Sequence, residues 1–349
     1  GVRGDLGGVY MAYGSRESSS GGPFFRDIQN QSGECTEVYN YMNSGHAQTE
    51  HYRTGVLHGP YALLFTRGPA PRIPSMDFIE SLNLRGYVKK QGRGRVIVDA
   101  IDNMHPKTSY TLGFTRQQAQ YWCRVSATQP AATSPWMKPG IYTMTLYQGE
   151  LAVHTEEVEV TAQKNTTIVN ITPSEDPSRR KALWRIGQWD GMPCEFTNGN
   201  GLTIAHPADA RMKTWKRGAY DVKTSPPNEF PACIWRDVNN STKITFSLAD
   251  QPLQPRKLRI GITSSHSGGR PVVKINDWSS RATPAPPRMR SRALTIGTYR
   301  GTNQTFEFDV PASALRKKEN EIKIEIISGS GGGGFLSPGI SIDCIDFCE

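Results

Sequence analysis

Apolar and polar positions alternate with period two along much of the chain. The clearest stretches are Arg95-Val96-Ile97-Val98, Tyr142-Thr143-Met144-Thr145-Leu146 and Thr166-Thr167-Ile168-Val169. Further on come Lys243-Ile244-Thr245-Phe246, Leu258-Arg259-Ile260-Gly261-Ile262, Thr305-Phe306-Glu307-Phe308 and Glu321-Ile322-Lys323-Ile324-Glu325-Ile326. Successive side chains of an extended strand point to opposite faces, so this alternation predicts strands with one apolar face. β-branched and aromatic residues dominate the stretches, and Gly, Pro and Asn separate them. No long stretch holds apolar residues at helical spacing. The chain is expected to be all-β, with sandwiches as its architecture.

The breakers between strands suggest boundaries. Arg67-Gly68-Pro69-Ala70-Pro71-Arg72-Ile73-Pro74 reads as a Pro-rich linker, and Pro173-Ser174-Glu175-Asp176-Pro177-Ser178-Arg179 as a second, polar one. Residues 76–163 between them hold about seven short strands, the size of one small sandwich. Residues 182–349 have the length of a jelly roll. Residues 1–67 are too few and too Gly-rich for a core of their own and read as the last strands of a larger domain. The expected division is 1–70, 71–175 and 176–349.

Composition narrows the class. The chain has 349 residues and a formal net charge of +9, an excess that suits a polyanionic partner. The basic residues are scattered, and short clusters such as Arg179-Arg180-Lys181 and Arg316-Lys317-Lys318 read as solvated surface. No zinc-finger, RRM or KH signature is present, which points away from nucleic acid. No apolar run reaches the roughly 18 residues of a membrane-spanning helix. Cysteines stand at 35, 123, 194, 233, 344 and 348 without a C-x-x-C pair, so zinc and thioredoxin readings have little support. Their even number permits full pairing into disulfides. N-x-S/T sequons stand at Asn30, Asn165, Asn170, Asn239, Asn240 and Asn303. Sequons and cysteines together favour a secreted, extracellular glycoprotein.

The most unusual stretch is Ser18-Ser19-Ser20-Gly21-Gly22-Pro23-Phe24-Phe25-Arg26-Asp27, which composition alone reads as a tight turn between strands. In a strand, Tyr39 and Tyr41 share a face, where they either stack on sugar rings or pack in a core. His46 follows Gly45 as if presented at a strand end. His46, His51 and His58 are close in sequence, but His46 and His51 have opposite strand parity and no Cys or carboxylate completes a metal-binding spacing. There is no G-x-S-x-G elbow, and Gly331 to Gly334 do not lead into a phosphate-binding Lys. Trp184, Trp189, Trp215, Trp235 and Trp278 gather in the last domain, as sugar platforms or as core.

Several of these segments carry a resemblance. Ser18 to Asp27, Tyr41-Met42-Asn43-Ser44-Gly45-His46-Ala47-Gln48-Thr49-Glu50 and Leu57-His58-Gly59-Pro60-Tyr61 closely resemble fungal rhamnogalacturonan lyases of the fourth polysaccharide lyase family. Gly86-Tyr87-Val88, Gly92-Arg93-Gly94, Met137-Lys138-Pro139-Gly140-Ile141-Tyr142-Thr143-Met144 and Tyr147-Gln148-Gly149-Glu150 are similar too. So are Ile186-Gly187-Gln188-Trp189-Asp190-Gly191, His206-Pro207 with Asp209 and Arg211-Met212, Gly268-Gly269-Arg270-Pro271, and Ser337-Pro338-Gly339-Ile340-Ser341-Ile342-Asp343-Cys344. The resemblance runs from roughly residue 8 to the end. It implies a catalytic β-supersandwich, of which 1–70 would be the C-terminal remnant, then a fibronectin-III-like domain, then a jelly roll like carbohydrate-binding modules.

The implied reaction is β-elimination at an α-L-rhamnosyl-(1→4)-D-galacturonate bond. A base takes the C5 proton of the galacturonate, the C4–O bond breaks, and a 4,5-unsaturated uronate remains. The uronate carboxylate opposes this proton loss unless it is neutralised, so cationic and hydrogen-bonding groups are required around it. The resemblance assigns essential roles to a His and a Lys. The His matches His46; the Lys lies upstream in the family, and this sequence has none before Ser18. Tyr39, Tyr41, Arg26, Glu50 and Arg53 are expected along the cleft. The partner is then rhamnogalacturonan I, an acidic plant cell-wall polysaccharide, acted on by a monomer with no cofactor needed for catalysis. A structural calcium is conceivable without sequence support. The alternative is a catalytically dead or binding-only protein for pectic polysaccharide.

Overall fold

Strands form where the alternation predicts them. The computed structural model describes residues 1–19, 21–24, 30–32, 34–39, 53–201, 218–287, 303–328 and 338–349, and within them all seven stretches quoted above are strand or nearly so. The chain divides into two units, Gly1–Gln148 with Ala152–Glu175, and Gly149–Leu151 with Asp176–Glu349.

In the first unit, β1 (Val2–Gly4), β2 (Gly7–Tyr13), β3 (Asn30–Ser32), β4 (Thr36–Val38) and β5 (Tyr61–Thr66) come first. β1, β2 and β5 make one antiparallel sheet and β3–β4 a separate pair. Seven strands follow: β6 (Arg95–Val98), β7 (Tyr110–Arg116), β8 (Ala119–Val125), β9 (Ala132–Thr133), β10 (Gly140–Gln148), β11 (Leu151–Val160) and β12 (Asn165–Ile168). They form the sheets β11–β10–β7–β8 and β12–β6–β9, with β12 parallel to β6. Register sets Met144 opposite Phe114 and Leu146 opposite Leu112, all fully buried. The front of the unit is different. Among the described residues of 1–67, Ala12 and Phe24 alone are buried apolar side chains, so this part has no core of its own.

The second unit holds β13 (Ala182–Gly187), β14 (Tyr220–Asp221), β15 (Cys233–Trp235), β16 (Thr242–Leu248), β17 (Arg256–His266), β18 (Arg270–Ile275), β19 (Trp278–Ser279), β20 (Gln304–Val310), β21 (Lys318–Ile327) and β22 (Gly339–Cys348). One sheet runs β13–β22–β17–β20, with β15 also on β22; the other runs β14–β16–β21–β18–β19. One apolar cluster joins them, with Leu258, Ile260, Phe306 and Phe308 from the first and Ile244, Phe246, Val273, Ile322 and Ile324 from the second.

β22 is the hub of this unit and is buried along its whole length. Its inward residues change phase, from Ile340 and Ile342 to Ile345 and Phe347. Register shifts on the paired β17, between Gly261 and Ile262 and between Ile262 and Ser264, accompany that change. The outward face is covered too. The Trp189 indole lies against Gly261, where an added Cβ would run into the ring, and at Gly339 an added Cβ would fall 2.6 Å from Cε3 of Trp235. Both tryptophans are buried, and Trp184 stacks on Phe347, so these three are core rather than sugar platforms. Trp278 packs at the core margin, and Trp215 lies outside the described residues.

The expectation of disulfides is corrected: Cys35, Cys123, Cys233, Cys344 and Cys348 carry free thiols. Strand register shows why the sheet cysteines do not meet. Cys123 faces Leu112, Cys233 faces Ser341, Cys344 faces Gly187 and Gly261, and Cys348 faces Ala182 and Lys257. Burial pushes the Cys233 thiol up to about 12, so it is protonated and inert.

Gly261→Ala is expected to destabilise the second unit by about 1–3 kcal/mol, because the new methyl meets the Trp189 ring rather than open space. Denaturant unfolding checks this. A loss no larger than that of an exposed Gly→Ala change would show that the ring can shift freely.

Candidate functional site

Of the residues expected to carry chemistry, His46, Tyr41, Arg26 and Glu50 lie outside the described residues, as does His51. Tyr39 follows β4 and is half-buried. Arg53 is fully described and buried. It is 6% exposed. Its guanidinium donates to the carbonyls of Ser19 (3.0 Å), Arg116 (3.1 Å) and Ala119 (3.2 Å) and to Thr115 Oγ1 (3.3 Å). A buried guanidinium with these acceptors is a tie to the β7–β8 hairpin, with little left for a substrate carboxylate.

The stretch before Phe24 is held to the same hairpin. Gly21 and Gly22 take φ values of 94° and 65°, a backbone conformation that needs glycine, just before Pro23. Gly22 N–H donates to Gln120 Oε1 (3.0 Å), Gln120 Nε2 donates to Arg16 O (3.1 Å), and Gln120 N–H to Glu17 O (2.7 Å). Phe24 meets Tyr147 edge-on at 5.1 Å. Glu17 is buried beside Arg93 (2.8 Å) and Lys138 (2.9 Å) and accepts a hydrogen bond from Tyr121. Burial alone would raise the Glu17 pKa, but the bond and charge of Arg93, the Tyr121 hydroxyl and the Lys138 charge lower it to about 2. These contacts grip the chain on both sides of the sequence stretch that contains His46.

The second unit holds two buried carboxylates on β22. Asp346 accepts from Arg259 (2.6 and 2.8 Å), Arg185 (3.0 Å) and Trp189 Nε1 (3.0 Å). Asp343 accepts from the backbone N–H groups of Gly191 (2.7 Å) and Met192 (3.2 Å), with Asp190 and Glu195 nearby. Burial, then the charges of Glu195 and Glu150, raises Asp190 to about 7 against the Met192 N–H. Burial raises Glu195 to about 6. Among the described residues, no group of three or more His, Cys, Asp or Glu side chains is arranged to hold a metal ion.

The sequons separate by environment. Asn239 is 5% exposed, takes the Trp235 N–H on Oδ1 (2.7 Å) and donates Nδ2 to Cys233 O (2.8 Å). That amide is a backbone brace, not a glycan acceptor in the folded unit. Asn165, Asn170 and Asn240 are exposed, and Asn303 is half-buried with Nδ2 on Glu150 O (3.2 Å). The side chain of Asn30 lies outside the described residues.

Residues in or beside the segments that carried the resemblance, far apart in sequence, are thus neighbours in space: Trp189 with Asp346, Gly191 with Asp343, Glu17 with Arg93 and Lys138. Family models match along the chain in the same order: "Rhamnogalacturonan lyase B, N-terminal" at residues 1–86, "Polysaccharide lyase family 4, domain II" at 92–168 and "Polysaccharide lyase family 4, domain III" at 182–347. The chain belongs to polysaccharide lyase family 4. Among similar proteins, rhamnogalacturonate lyase A of Emericella nidulans is 41% identical over 350 residues, covering 100% of this chain and 65% of the relative. Rhamnogalacturonate lyase A of Aspergillus aculeatus is 40% identical over 351 residues, again covering 100% of this chain and 65% of the relative. The chain therefore spans 65% of the length of these two relatives.

Two outcomes are expected from this geometry. Arg53→Ala should cost the first unit about 3 kcal/mol, since it strands buried carbonyls. A variant with an unchanged melting temperature and weakened polysaccharide binding would return Arg53 to the cleft. In the second unit, Asp190 and Glu195 keep their protons when folded at pH values where the unfolded chain has lost them. Folding stability should then fall as pH rises from about 4 to about 7, by about 2–4 kcal/mol. Urea unfolding across that range should show the slope, and Asp190→Asn should flatten it. A stability that rises with pH over the same window would contradict the assignment.

Proposed function

We propose that the protein containing this chain is a secreted lyase that cleaves α-L-rhamnosyl-(1→4)-D-galacturonate bonds in the backbone of rhamnogalacturonan I by β-elimination. The observation that carries the reading is similarity along the whole chain, at 40% and 41% identity, to two proteins named rhamnogalacturonate lyase A. The net charge of +9 and the exposed sequons are in keeping with an extracellular protein that meets an acidic polymer. No helix among the described residues is long and apolar enough to cross a membrane.

In this reading residues 1–70 belong to the catalytic domain, 71–175 form a fibronectin-III-like domain, and 176–349 form a carbohydrate-binding-like jelly roll. His46 serves as acid or base in the elimination, Tyr39, Tyr41, Arg26 and Glu50 contribute to substrate binding, and Arg53 positions rather than binds. An imidazole titrates near neutrality and can move a proton at C5 or at the departing C4 oxygen. The protein works as a monomer, without a catalytic cofactor. No observation favours the binding-only alternative.

The test is release of unsaturated uronate, read by ultraviolet absorbance, when the intact protein meets rhamnogalacturonan I without added metal. Activity confined to homogalacturonan would overturn the substrate. His46→Ala should lower kcat by about 10²–10⁴ with an unchanged melting temperature and flatten one limb of the pH–rate profile. A wild-type kcat in that variant would remove His46 from the chemistry, and a raised KM with kcat intact would make it a ground-state binder.

A further inference from the structure

The small sheet β12–β6–β9 of the first unit turns one face inward and one outward. Val96 and Val98 of β6 are buried, while Arg95 and Ile97 are half-buried on the other face. Register sets Asn165 beside Arg95 and Thr167 beside Ile97, and both Asn165 and Thr167 are exposed. Asn165-Thr166-Thr167 is an N-x-T sequon. Its acceptor amide and its hydroxyl therefore stand together on the outward face of an edge strand.

The amide itself is free to react. Arg95 Nε donates to Asn165 Oδ1 (2.9 Å), which orients the side chain and leaves Nδ2, the atom that carries a glycan, without a partner among the described residues. The other sequons differ. Asn170 spends Nδ2 on Asp102 Oδ2 (2.6 Å) and Thr172 Oγ1 (3.3 Å), and the Thr172 hydroxyl of that sequon donates to Asp102 as well (2.8 Å). Asn239 is buried, and Asn303 donates Nδ2 to Glu150 O. Asn240 takes the Ile326 N–H on Oδ1 (3.0 Å), and its sequon hydroxyl, on Thr242, is buried and donates to Asn239 O.

An open ring stands beside this amide. The same Arg95 guanidinium lies over the indole of Trp136, 4.9 Å from its centroid. Trp136 is 46% exposed, unlike the buried Trp189 and Trp235 of the second unit. The path from Asn165 Oδ1 through Arg95 to the ring is no longer than about 9 Å. That is within the span of the two N-acetylglucosamine residues that begin an N-glycan. The C–H face of such a sugar can cover the part of the indole that Arg95 leaves to water.

We infer that Asn165 is N-glycosylated and that the first sugars of its glycan rest on Trp136. The inference rests on the reading that the protein is secreted. In the transfer, Asn165 Nδ2 attacks C1 of the N-acetylglucosamine of a lipid-diphosphate-linked oligosaccharide. The Nδ2–C1 bond forms, the C1–O bond to the diphosphate breaks, and Nδ2 loses one proton. A glycan here would also screen the free edge of β12, which pairs with β6 alone among the described strands, from joining a strand of another molecule.

The test is peptide mass spectrometry of the intact protein made in a fungal host, joined to a cycle of two variants. Thr167→Ala removes the sequon and keeps the bond between Asn165 and Arg95; Trp136→Ala removes the ring. A glycan on Asn165 is expected. Thr167→Ala should lower the melting temperature by about 2–4 °C more with Trp136 present than in Trp136→Ala, a difference that cancels the intrinsic effect of either substitution. If Trp136→Ala does not fold, nuclear Overhauser contacts between the first sugars and an indole of the unaltered glycoprotein take its place, and they are expected to be present. An unmodified Asn165 beside a glycan at Asn170 or Asn240 would overturn the inference and leave secretion standing. Equal losses in both backgrounds, or no contact between sugar and indole, would overturn the packing on Trp136. Retention in the cell with no glycan at any sequon would sink the secretion reading and the inference together. A glycan on Asn165 of a protein that releases no unsaturated uronate would support the inference and sink the lyase reading alone.

Discussion

The first unit depends on a buried polar tie in place of an apolar one. The described residues of 1–67 bring almost no buried apolar side chains to the β7–β8 hairpin. They bring Glu17 and receive Arg93, Lys138 and Tyr121; they bring Arg53 and occupy the carbonyls of Arg116 and Ala119. Burying charge is costly, and such pairs repay the cost only when every lone pair and proton finds a partner. The sharing of one carboxylate by two cations and a phenol fulfils that condition, and Glu17 stays ionised far into the acid range. An apolar contact tolerates sliding. A guanidinium held by three carbonyls does not. The tie therefore fixes position as well as attachment, on both sides of the sequence stretch that contains His46.

The second unit solves burial differently and shows how surroundings divide two like groups. Asp343 and Asp346 stand three residues apart on one buried strand. Burial opposes ionisation at both. At Asp346 the bonds from Arg259 and Trp189 and the charges of Arg259 and Arg185 outweigh it, and the pKa falls. At Asp343 burial is joined by the charges of Asp190 and Glu195, backbone N–H groups answer only in part, and the pKa rises well above the ordinary value. The phase change in β22 between Ile342 and Ile345 separates the two environments. One carboxylate then cross-links the sheet as an anion, while the other braces the 190–192 turn.

The strands were legible because alternation is a local property of the chain, and a sandwich follows from enough of them. The partners of charged residues were not, because they are set by which carbonyls or carboxylates a distant hairpin presents. Arg53 stands near His46 in sequence, and proximity along the chain suggested the cleft; the partners described for it are Ser19, 34 residues back, and the hairpin residues Thr115, Arg116 and Ala119, more than 60 residues on. Asn239 carries a sequon, yet its amide is spent on Trp235 and Cys233. The tryptophans of the second unit could be platforms or core until glycine beneath them decided it: Gly261 and Gly339 are where rings lie flat on a strand. A carboxylate in an apolar run, as in Ile342-Asp343-Cys344-Ile345-Asp346-Phe347, was the one signal in the sequence that could have announced the buried network.

The net charge of +9 suggested a polyanionic partner without saying where it would bind, and pairing narrows the answer. The clusters that looked most basic in sequence are largely answered by acids: Arg316 by Asp277, Lys317 by Asp250, Lys181 by Glu349. On the sheets, Lys257 meets Glu307 and Asp309, and Lys274 meets Glu325. Exposed pairs of this kind add little stability, but they cancel the field that would otherwise draw an anion to the whole surface. Total charge is therefore a poor guide to where an anion would bind, because the fold decides which cations are already answered.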